Sequence, residues 1–156
     1  MSDYINKKNF FVNFFLTIII FSLDRFSKFY VISQSETNLF ISQFLNINLI
    51  WNDGIAFGLF SFEKEIYYNV LTGIIILITF IIFWMITKTE KLEKIAFIMI
   101  FGGSLGNIFD RLYYKSVPDF IDIHFNNFHW FIFNVADIFI TLGVILLISL
   151  EIFKKN

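Results

Sequence analysis

The sequence contains no cysteine, only one proline and no excess of positive charge. Without cysteine, the chain cannot form disulfide bonds, thiolate metal sites or a cysteine nucleophile, so catalysis would have to use carboxylates, histidine, serine or lysine. The formal net charge of -1 argues against nucleic acid as a partner, because neutralising phosphates requires a clear lysine and arginine excess on one face. We therefore expect no nucleic-acid-binding function.

Apolar residues, by contrast, are abundant. Hydrophobic residues make up 57% and aromatic residues 21% of the 156-residue chain, and the mean hydropathy is +0.71. This composition predicts an integral membrane protein. A membrane-spanning helix needs about 20 mostly apolar residues, and four stretches approach or exceed that length: 9–32, 66–86, 95–109 and 131–153. The sequence therefore predicts four transmembrane helices in a single domain that covers residues 1–156.

The positions of the lysines predict an orientation in the membrane. Lysines precede the first stretch, separate the second from the third and follow the fourth, at Lys7, Lys8, Lys88, Lys91, Lys94, Lys154 and Lys155. The positive-inside rule then places both termini in the cytoplasm and segments 33–65 and 110–130 outside it. Residues 39–51 alternate between apolar and polar types, as in an amphipathic strand pair. We thus expect an all-α membrane protein with a small extracytoplasmic β element and outer loops.

Several ionisable side chains lie inside or at the ends of the predicted spans. Such a group costs a few kcal/mol unless it faces a partner or a wet cavity. Asp137 lies seven residues into the fourth span, and Asn134 lies one helical turn away on the same face; a capped helix start or a hydrogen bond between helices is the non-functional explanation. Asn107, Asp110 and Arg111 repeat the arrangement at the end of the third span, where an interfacial ion pair explains Asp110 and Arg111 equally well.

Three other patterns have simple structural explanations. Asp24 and Lys28 have the i,i+4 spacing of an ordinary salt bridge on a helix. Gly102 and Gly106 form a G-x-x-x-G pattern, which permits close packing of helices. Ser104 lies within "GGSLG", which matches the nucleophile elbow of hydrolases in letters only, because that elbow requires a strand before the turn and a histidine base.

One segment carries the residue types that bind metal ions. The segment "DFIDIHFNNFH" at 119–129 offers Asp119, Asp122, His124 and His129 as ligands, but their spacing fits no familiar template. The sequence therefore predicts interfacial histidines, no metal site and no cofactor.

Four blocks in order along the chain resemble the lipoprotein signal peptidases, the signal peptidase II family of bacteria: "DRFSK" (24–28), "NDGIAFG" (52–58), "GGSLGNIFDRLYYKSVPDFID" (102–122) and "FNVAD" (133–137). Their order and spacing fit the whole chain. The resemblance implies an aspartyl peptidase of the cytoplasmic membrane that cleaves diacylglyceryl-modified prolipoproteins just before the lipidated cysteine. Its expected partners are lipidated prolipoproteins and membrane lipid, and a monomer is expected.

By this resemblance, Asp119 and Asp137 are the catalytic pair at the outer membrane surface, with Asp119 presented by a loop. Two carboxylates that share one proton supply both a base and an acid for the activation of water. The expected supporting residues are Asn52, Gly54, Asn107, Asp110, Arg111, Asn134, Asp24 and Lys28.

Five residues depart from the usual pattern of the family. Ile55 and Ser104 stand where alanine is usual, Lys115 where glycine is usual and Phe131 where proline is common, and Pro118 directly precedes Asp119. None of these changes removes a carboxylate or an amide. Pro118 favours an extended conformation at the preceding residue, whereas Lys115 affects a local turn at which glycine is the most permissive residue.

Two other functions are compatible with part of the pattern. A small four-span proton or cation transporter or channel subunit would use Asp137 and Asp110, but it leaves Asp119 and the strand segment without a role. A non-catalytic scaffold would assemble through Gly102 and Gly106.

Overall fold

The computed structural model describes residues 2–34, 38–54, 65–126 and 128–154, and side chains from residue 11 onward. Four helices alternate with two strand pairs. In chain order, the elements are α1 (Ser2–Ile32), β1 (Asn38–Ser42), β2 (Leu45–Asn52), α2 (Glu65–Lys88), α3 (Lys91–Tyr113), β3 (Val117–Phe125), β4 (Phe128–Phe133) and α4 (Val135–Lys154).

Three of the described helices, α2, α3 and α4, are long and apolar enough to cross a membrane. The predicted spans 66–86 and 95–109 fall within α2 and α3. The predicted fourth span began too early: residues 131–133 belong to β4, and the helix starts only at Val135. The predicted span 9–32 falls within α1, and its crossing of the membrane stays a prediction.

Helix α3 packs against each of the other three helices. A Cβ atom added at Gly102 would lie 2.9 Å from Cγ2 of Ile20 on α1, and one added at Gly103 would lie 2.6 Å from the carbonyl oxygen of Ala136 on α4. Gly106 lies against Asp24 of α1. These glycines therefore allow α3 to approach both neighbours closely, and the two glycines of the G-x-x-x-G pattern, Gly102 and Gly106, both lie against α1.

The strands form one antiparallel sheet in the order β1-β2-β3-β4. The strand pair predicted within residues 39–51 is confirmed as β1 and β2. Residues 110–130 are not the loop that the sequence predicts, because this segment contains the end of α3 and most of the β3–β4 hairpin; its position outside the cytoplasm stays a prediction. A period of two was already visible in the sequence, since Ile121, Ile123 and Phe125 alternate with Asp122 and His124.

The turn from α3 to β3 contains Lys115, whose φ angle is 62°. This left-handed conformation is the one that glycine adopts most readily. Lys115 therefore adopts the backbone conformation that glycine would adopt in this turn, and this conformation is strained for a lysine. Ile55, another departure, lies outside the described residues.

Candidate active site

Asp119 is the third residue of β3, so it lies on a strand and not on the loop expected from the sequence. Its side chain is buried, and each of its carboxylate oxygens accepts one hydrogen bond. Asn52 Nδ2 donates to Oδ2 at 2.9 Å, and Asn134 Nδ2 donates to Oδ1 at 2.6 Å. Pairing of β3 with β2 therefore brings Asn52 to Asp119 from a position 67 residues earlier in the chain.

Asp137 lies in the first turn of α4, and not deep within a span, because the helix starts at Val135. The backbone N–H of Asp137 donates to Asn134 Oδ1 at 3.1 Å, and the N–H of Asn134 donates to Asp137 Oδ2 at 3.1 Å. This reciprocal pair is a capping box. Asn107 of α3 donates from Nδ2 to Asp137 Oδ1 at 2.8 Å. Asp137 thus caps its helix and is also held from α3.

Asn134 joins the two carboxylates. Its side-chain amide bonds to Asp119 while its backbone and its side-chain oxygen bond to Asp137, and the residue is fully buried. Two carboxylates from different elements therefore lie on either side of one asparagine, whose orientation is fixed by three hydrogen bonds.

The pKa of Asp119 is raised from its ordinary value of 3.8 to about 6, chiefly by burial and also by the nearby charge of Asp137. The hydrogen bonds from Asn52 and Asn134 oppose this shift because they favour the ionised form. Asp119 is therefore able to hold or release a proton near neutral pH.

A charged cluster lies behind Asp137, between α1 and α3. Lys28 Nζ is 2.9 Å from Asp24 Oδ1, 2.6 Å from Asp110 Oδ2 and donates to Asn107 Oδ1 at 2.9 Å. Arg25 binds Asp110 at 2.6 Å and Asp24 at 2.7 Å. The salt bridge predicted for Asp24 and Lys28 is thus confirmed as part of a larger buried cluster that holds Asn107 in place.

Asp24 also connects this cluster to α4. Its Oδ1 accepts a hydrogen bond of 3.0 Å from the backbone N–H of Ala136. A carboxylate at a helix N-terminus satisfies an unpaired donor and interacts favourably with the helix dipole. The N-terminus of α4, which carries Asp137, is therefore fixed from α1 as well as from Asn134.

Arg111 has different partners from those expected. Among the described residues, Asp110 pairs with Lys28 and Arg25, so the simple ion pair between Asp110 and Arg111 is wrong. Arg111 instead donates to the carbonyl oxygen of Gly54 at 2.9 Å. The N–H of Gly54 in turn donates to Asn52 Oδ1 at 2.9 Å, which orients the Asn52 amide toward Asp119.

A cavity of about 350 Å³ opens beside Asp137. The β3–β4 hairpin forms one wall and α4 forms the other. Among the described residues that line it, Asp137 is the one charged residue, and the others are apolar side chains and one threonine: Ile123, Trp130, Phe131, Phe133, Ile138, Thr141 and Leu142. An apolar ligand in this cavity would lie against the carboxylate.

The remaining candidates lie elsewhere. Ser104 is in the middle of α3, preceded by helix and not by a strand, so the nucleophile-elbow geometry is not present at this serine. The structure does bring Asp122, His124 and His129 together, with one ligand atom of each within 4.8 Å of the others. All three are among the candidate ligands that the sequence offers, but their linear spacing matches no metal template because the group forms across the β3–β4 hairpin.

Residues 16–153 match a family model described as "Signal peptidase (SPase) II". This chain belongs to the signal peptidase II family. The resemblance seen in the sequence is therefore confirmed. Membership in this family makes the chain a peptidase, and it favours a peptidase over the transporter and the scaffold.

Relatives and solved structures agree with this membership. The lipoprotein signal peptidase of Pelagibacter ubique (strain HTCC1062) is 47% identical over 156 residues, covering 97% of this chain and 94% of that protein. The lipoprotein signal peptidase of Anaplasma phagocytophilum (strain HZ) is 35% identical over 143 residues, covering 88% and 90%. A bacterial membrane enzyme solved by the in meso method at 2.3 Å superposes with a TM-score of 0.77 at 26% identity, covering 93% of this chain and 90% of that one.

Proposed function

We propose that the protein is an aspartic endopeptidase that removes signal peptides from diacylglyceryl-modified prolipoproteins by cleaving before the lipidated cysteine. The observation that carries this proposal is the arrangement in which Asn134 binds both Asp119 and Asp137 at the edge of an apolar cavity. The names of the relatives support lipoproteins as the substrate class.

In the proposed mechanism, the two carboxylates share one proton and act on a water molecule between them. The ionised carboxylate takes a proton from water, whose oxygen attacks the scissile carbonyl carbon, and the protonated carboxyl group donates its proton to the carbonyl oxygen. Collapse of the tetrahedral intermediate breaks the C–N bond, and a proton passes to the leaving amine. The titration belongs to the pair as a whole.

The supporting residues keep the two carboxylates in position. Asn52 and Asn134 orient Asp119, and Asn107 orients Asp137. Lys28 fixes Asn107, and Arg111 fixes Asn52 through Gly54. Because reacting groups lose much of their catalytic effect when displaced by about 1 Å, we assign these residues a positioning role.

The lipid of the substrate should dominate its recognition. Two acyl chains bury many CH₂ groups, and each contributes about 0.8 kcal/mol. A short peptide gains only a few hydrogen bonds, and each contributes about 1 kcal/mol. The apolar lining beside Asp137 offers acyl chains a surface at the depth of the carboxylate. Anchoring the cysteine there would bring the preceding peptide bond to the dyad.

A pair of matched precursors tests this proposal. Purified protein is incubated with one prolipoprotein in two forms, with the cysteine either diacylglyceryl-modified or unmodified, and cleavage is followed by gel shift. We expect cleavage of the lipidated form alone. Equal cleavage of both forms would contradict lipid recognition and indicate a general intramembrane aspartyl protease.

The catalytic pair is tested by Asp119→Asn and Asp137→Asn. Asparagine has nearly the same shape as aspartate but cannot take part in proton transfer, so each variant should lower turnover by at least about 10²- to 10⁴-fold while inserting into the membrane normally. Glu93→Gln is the control, since Glu93 is only partly buried on α3 and its one ion pair among the described residues is with Lys154 at 3.6 Å. Near-normal turnover in either aspartate variant would disprove the dyad.

A further inference from the structure

The only two histidines of the chain lie beside each other on the β3–β4 hairpin. His124 pairs with His129 across the two strands, and their rings stack with centroids 5.0 Å apart. Asp122 lies two residues before His124 on β3, so its side chain lies on the same face of the sheet. One ligand atom from each of these three residues lies within 4.8 Å of the others.

Two buried polar atoms in this region have no hydrogen-bond partner among the described residues: His124 Nδ1 and Asn46 Oδ1. Asn46 lies on β2 directly opposite Asp122, so its side chain lies on the same face of the sheet as the three residues above. Buried polar atoms almost always have a partner, and an unpaired one requires an explanation. A cation at this position would satisfy both atoms.

The donor set selects a class of cation. Two imidazoles and one carboxylate are ligands that suit zinc and related divalent transition metals, whereas magnesium and calcium prefer sets made of oxygen atoms. Asp122 is buried, and both of its carboxylate oxygens lie 3.0 Å from His129 Nδ1. The His129 side chain is 53% exposed, which gives an ion access from solvent.

We propose that Asp122, His124 and His129, with Asn46 beside them, bind one divalent transition-metal ion of the zinc class. The residues between Asp119 and Asp122 follow β3 without a bulge in that strand, so the odd spacing puts this site on the opposite face of the sheet from Asp119. The site is therefore separate from the dyad.

The bound ion would act on the hairpin that forms one wall of the cavity. It would link β3 to β4 near the hairpin turn, where His124 pairs with His129. The neighbouring residues Ile123 and Trp130 line the cavity. A metal ion that binds only the folded hairpin stabilises it by mass action. We infer that the ion is structural and fixes the position of this wall.

Zinc binding to the full-length protein tests the site directly and does not depend on peptidase activity. The protein is purified in detergent on a tag without histidine, and zinc is added while the ring signals of the two histidines are followed by ¹H–¹³C NMR. We expect both sets of signals to shift together and to saturate at one zinc ion per chain. Competition with a chromophoric chelator gives the affinity, and a large excess of magnesium should not reduce it.

Variants identify the ligands. His129→Ala and Asp122→Asn should each weaken zinc binding by about tenfold or more, while His129→Cys should retain it because thiolate is a good zinc ligand. Asp53→Asn is the matched control: it removes the same charge from an exposed position just after β2 and should leave the affinity unchanged.

The exposure of His129 keeps the test informative if Asp122→Asn fails to fold. Unchanged zinc affinity in His129→Ala would overturn the proposal, as would ring signals that do not move at one equivalent of zinc. Loss of peptidase activity in the dyad variants has no bearing on this result, so the two proposals fail independently.

Discussion

Asp119 is buried without a salt bridge among the described residues, unlike Asp24 and Asp110, which are buried against Lys28 and Arg25. Its partners are two asparagine amides, which satisfy the oxygens but do not neutralise the charge. A buried carboxylate in this setting keeps a raised pKa, and such perturbed groups are typical of functional sites. This difference between buried aspartates supports the catalytic role proposed for Asp119.

The raised pKa of Asp119 predicts how stability depends on pH. Because the folded pKa of about 6 lies above the ordinary value of 3.8, the contribution to folding is fully present below about pH 4 and is lost as the pH rises through 6. The difference is at most about 3 kcal/mol in the free energy of unfolding.

Thermal unfolding in detergent between pH 5 and 8 checks this dependence. Asp119→Asn cannot titrate, so its melting temperature relative to the wild type should rise as the pH increases through 6. Ser104→Ala, which changes no titratable group, should follow the wild-type profile. A constant difference between Asp119→Asn and the wild type would show that the pKa of Asp119 is not raised.

Ser104 provides a second prediction for a single residue. The residue is in the middle of α3, and we assign its hydroxyl group no chemistry, so Ser104→Ala should keep turnover within about a factor of two. Cleavage of the lipidated precursor is the measurement. Inactivation of the wild type by a serine-directed reagent at this position would contradict the assignment.

At the scale of elements, the glycines of α3 determine how closely the helices pack. In Gly103→Ala, the new methyl group would lie 2.6 Å from the carbonyl oxygen of Ala136, and backbone atoms cannot move aside easily. We expect a loss of about 1–3 kcal/mol in stability and lower activity, because Ala136 directly precedes Asp137.

Gly73→Ala is the matched control on α2, where an added Cβ has no described atom within 4 Å. This substitution should leave stability unchanged or raise it by about 0.5–1 kcal/mol, since alanine favours a helix more than glycine does. Thermal unfolding and cleavage assays on both variants check the pair. Equal effects of the two substitutions would show that close packing at Gly103 is not important.

The elements also show where sequence reasoning succeeded and failed. Apolar length identified the helices that contain 66–86 and 95–109, because twenty apolar residues have few alternatives to a membrane helix. It misplaced the start of α4, because Phe131, Ile132 and Phe133 are as apolar as the helix that follows. Whether such residues form a strand depends on their pairing with β3, a contact that no local pattern contains.

At the scale of the whole molecule, the lysine distribution predicts the orientation of the chain. In this cysteine-free protein, single cysteines introduced at Ser2, Thr89 and Asn156 should react with an impermeant reagent only from the cytoplasmic side, and those at Ser42 and Asn127 only from outside. Of these positions, Asn127 and Asn156 lie outside the described residues. Labelling in the opposite sense would put Asp119 and Asp137 on the wrong side for the proposed substrates.

The sequence by itself determined the class of the protein and its family, because composition and four ordered motifs are local properties of the chain. It also predicted Asp119 and Asp137 as the carboxylates of interest, through the resemblance of these motifs.

Only the tertiary structure decided how these residues are held. The bond from Asn134 to Asp119 depends on the placement of β3 against the start of α4, and the contacts of Lys28 with Asn107 and Asp110 depend on the packing of α1 against α3. The same is true of the group formed by Asp122, His124 and His129. Hydrogen bonds and ion pairs act over a few ångströms in space, and residues far apart in the chain reach that distance only when the fold brings them together.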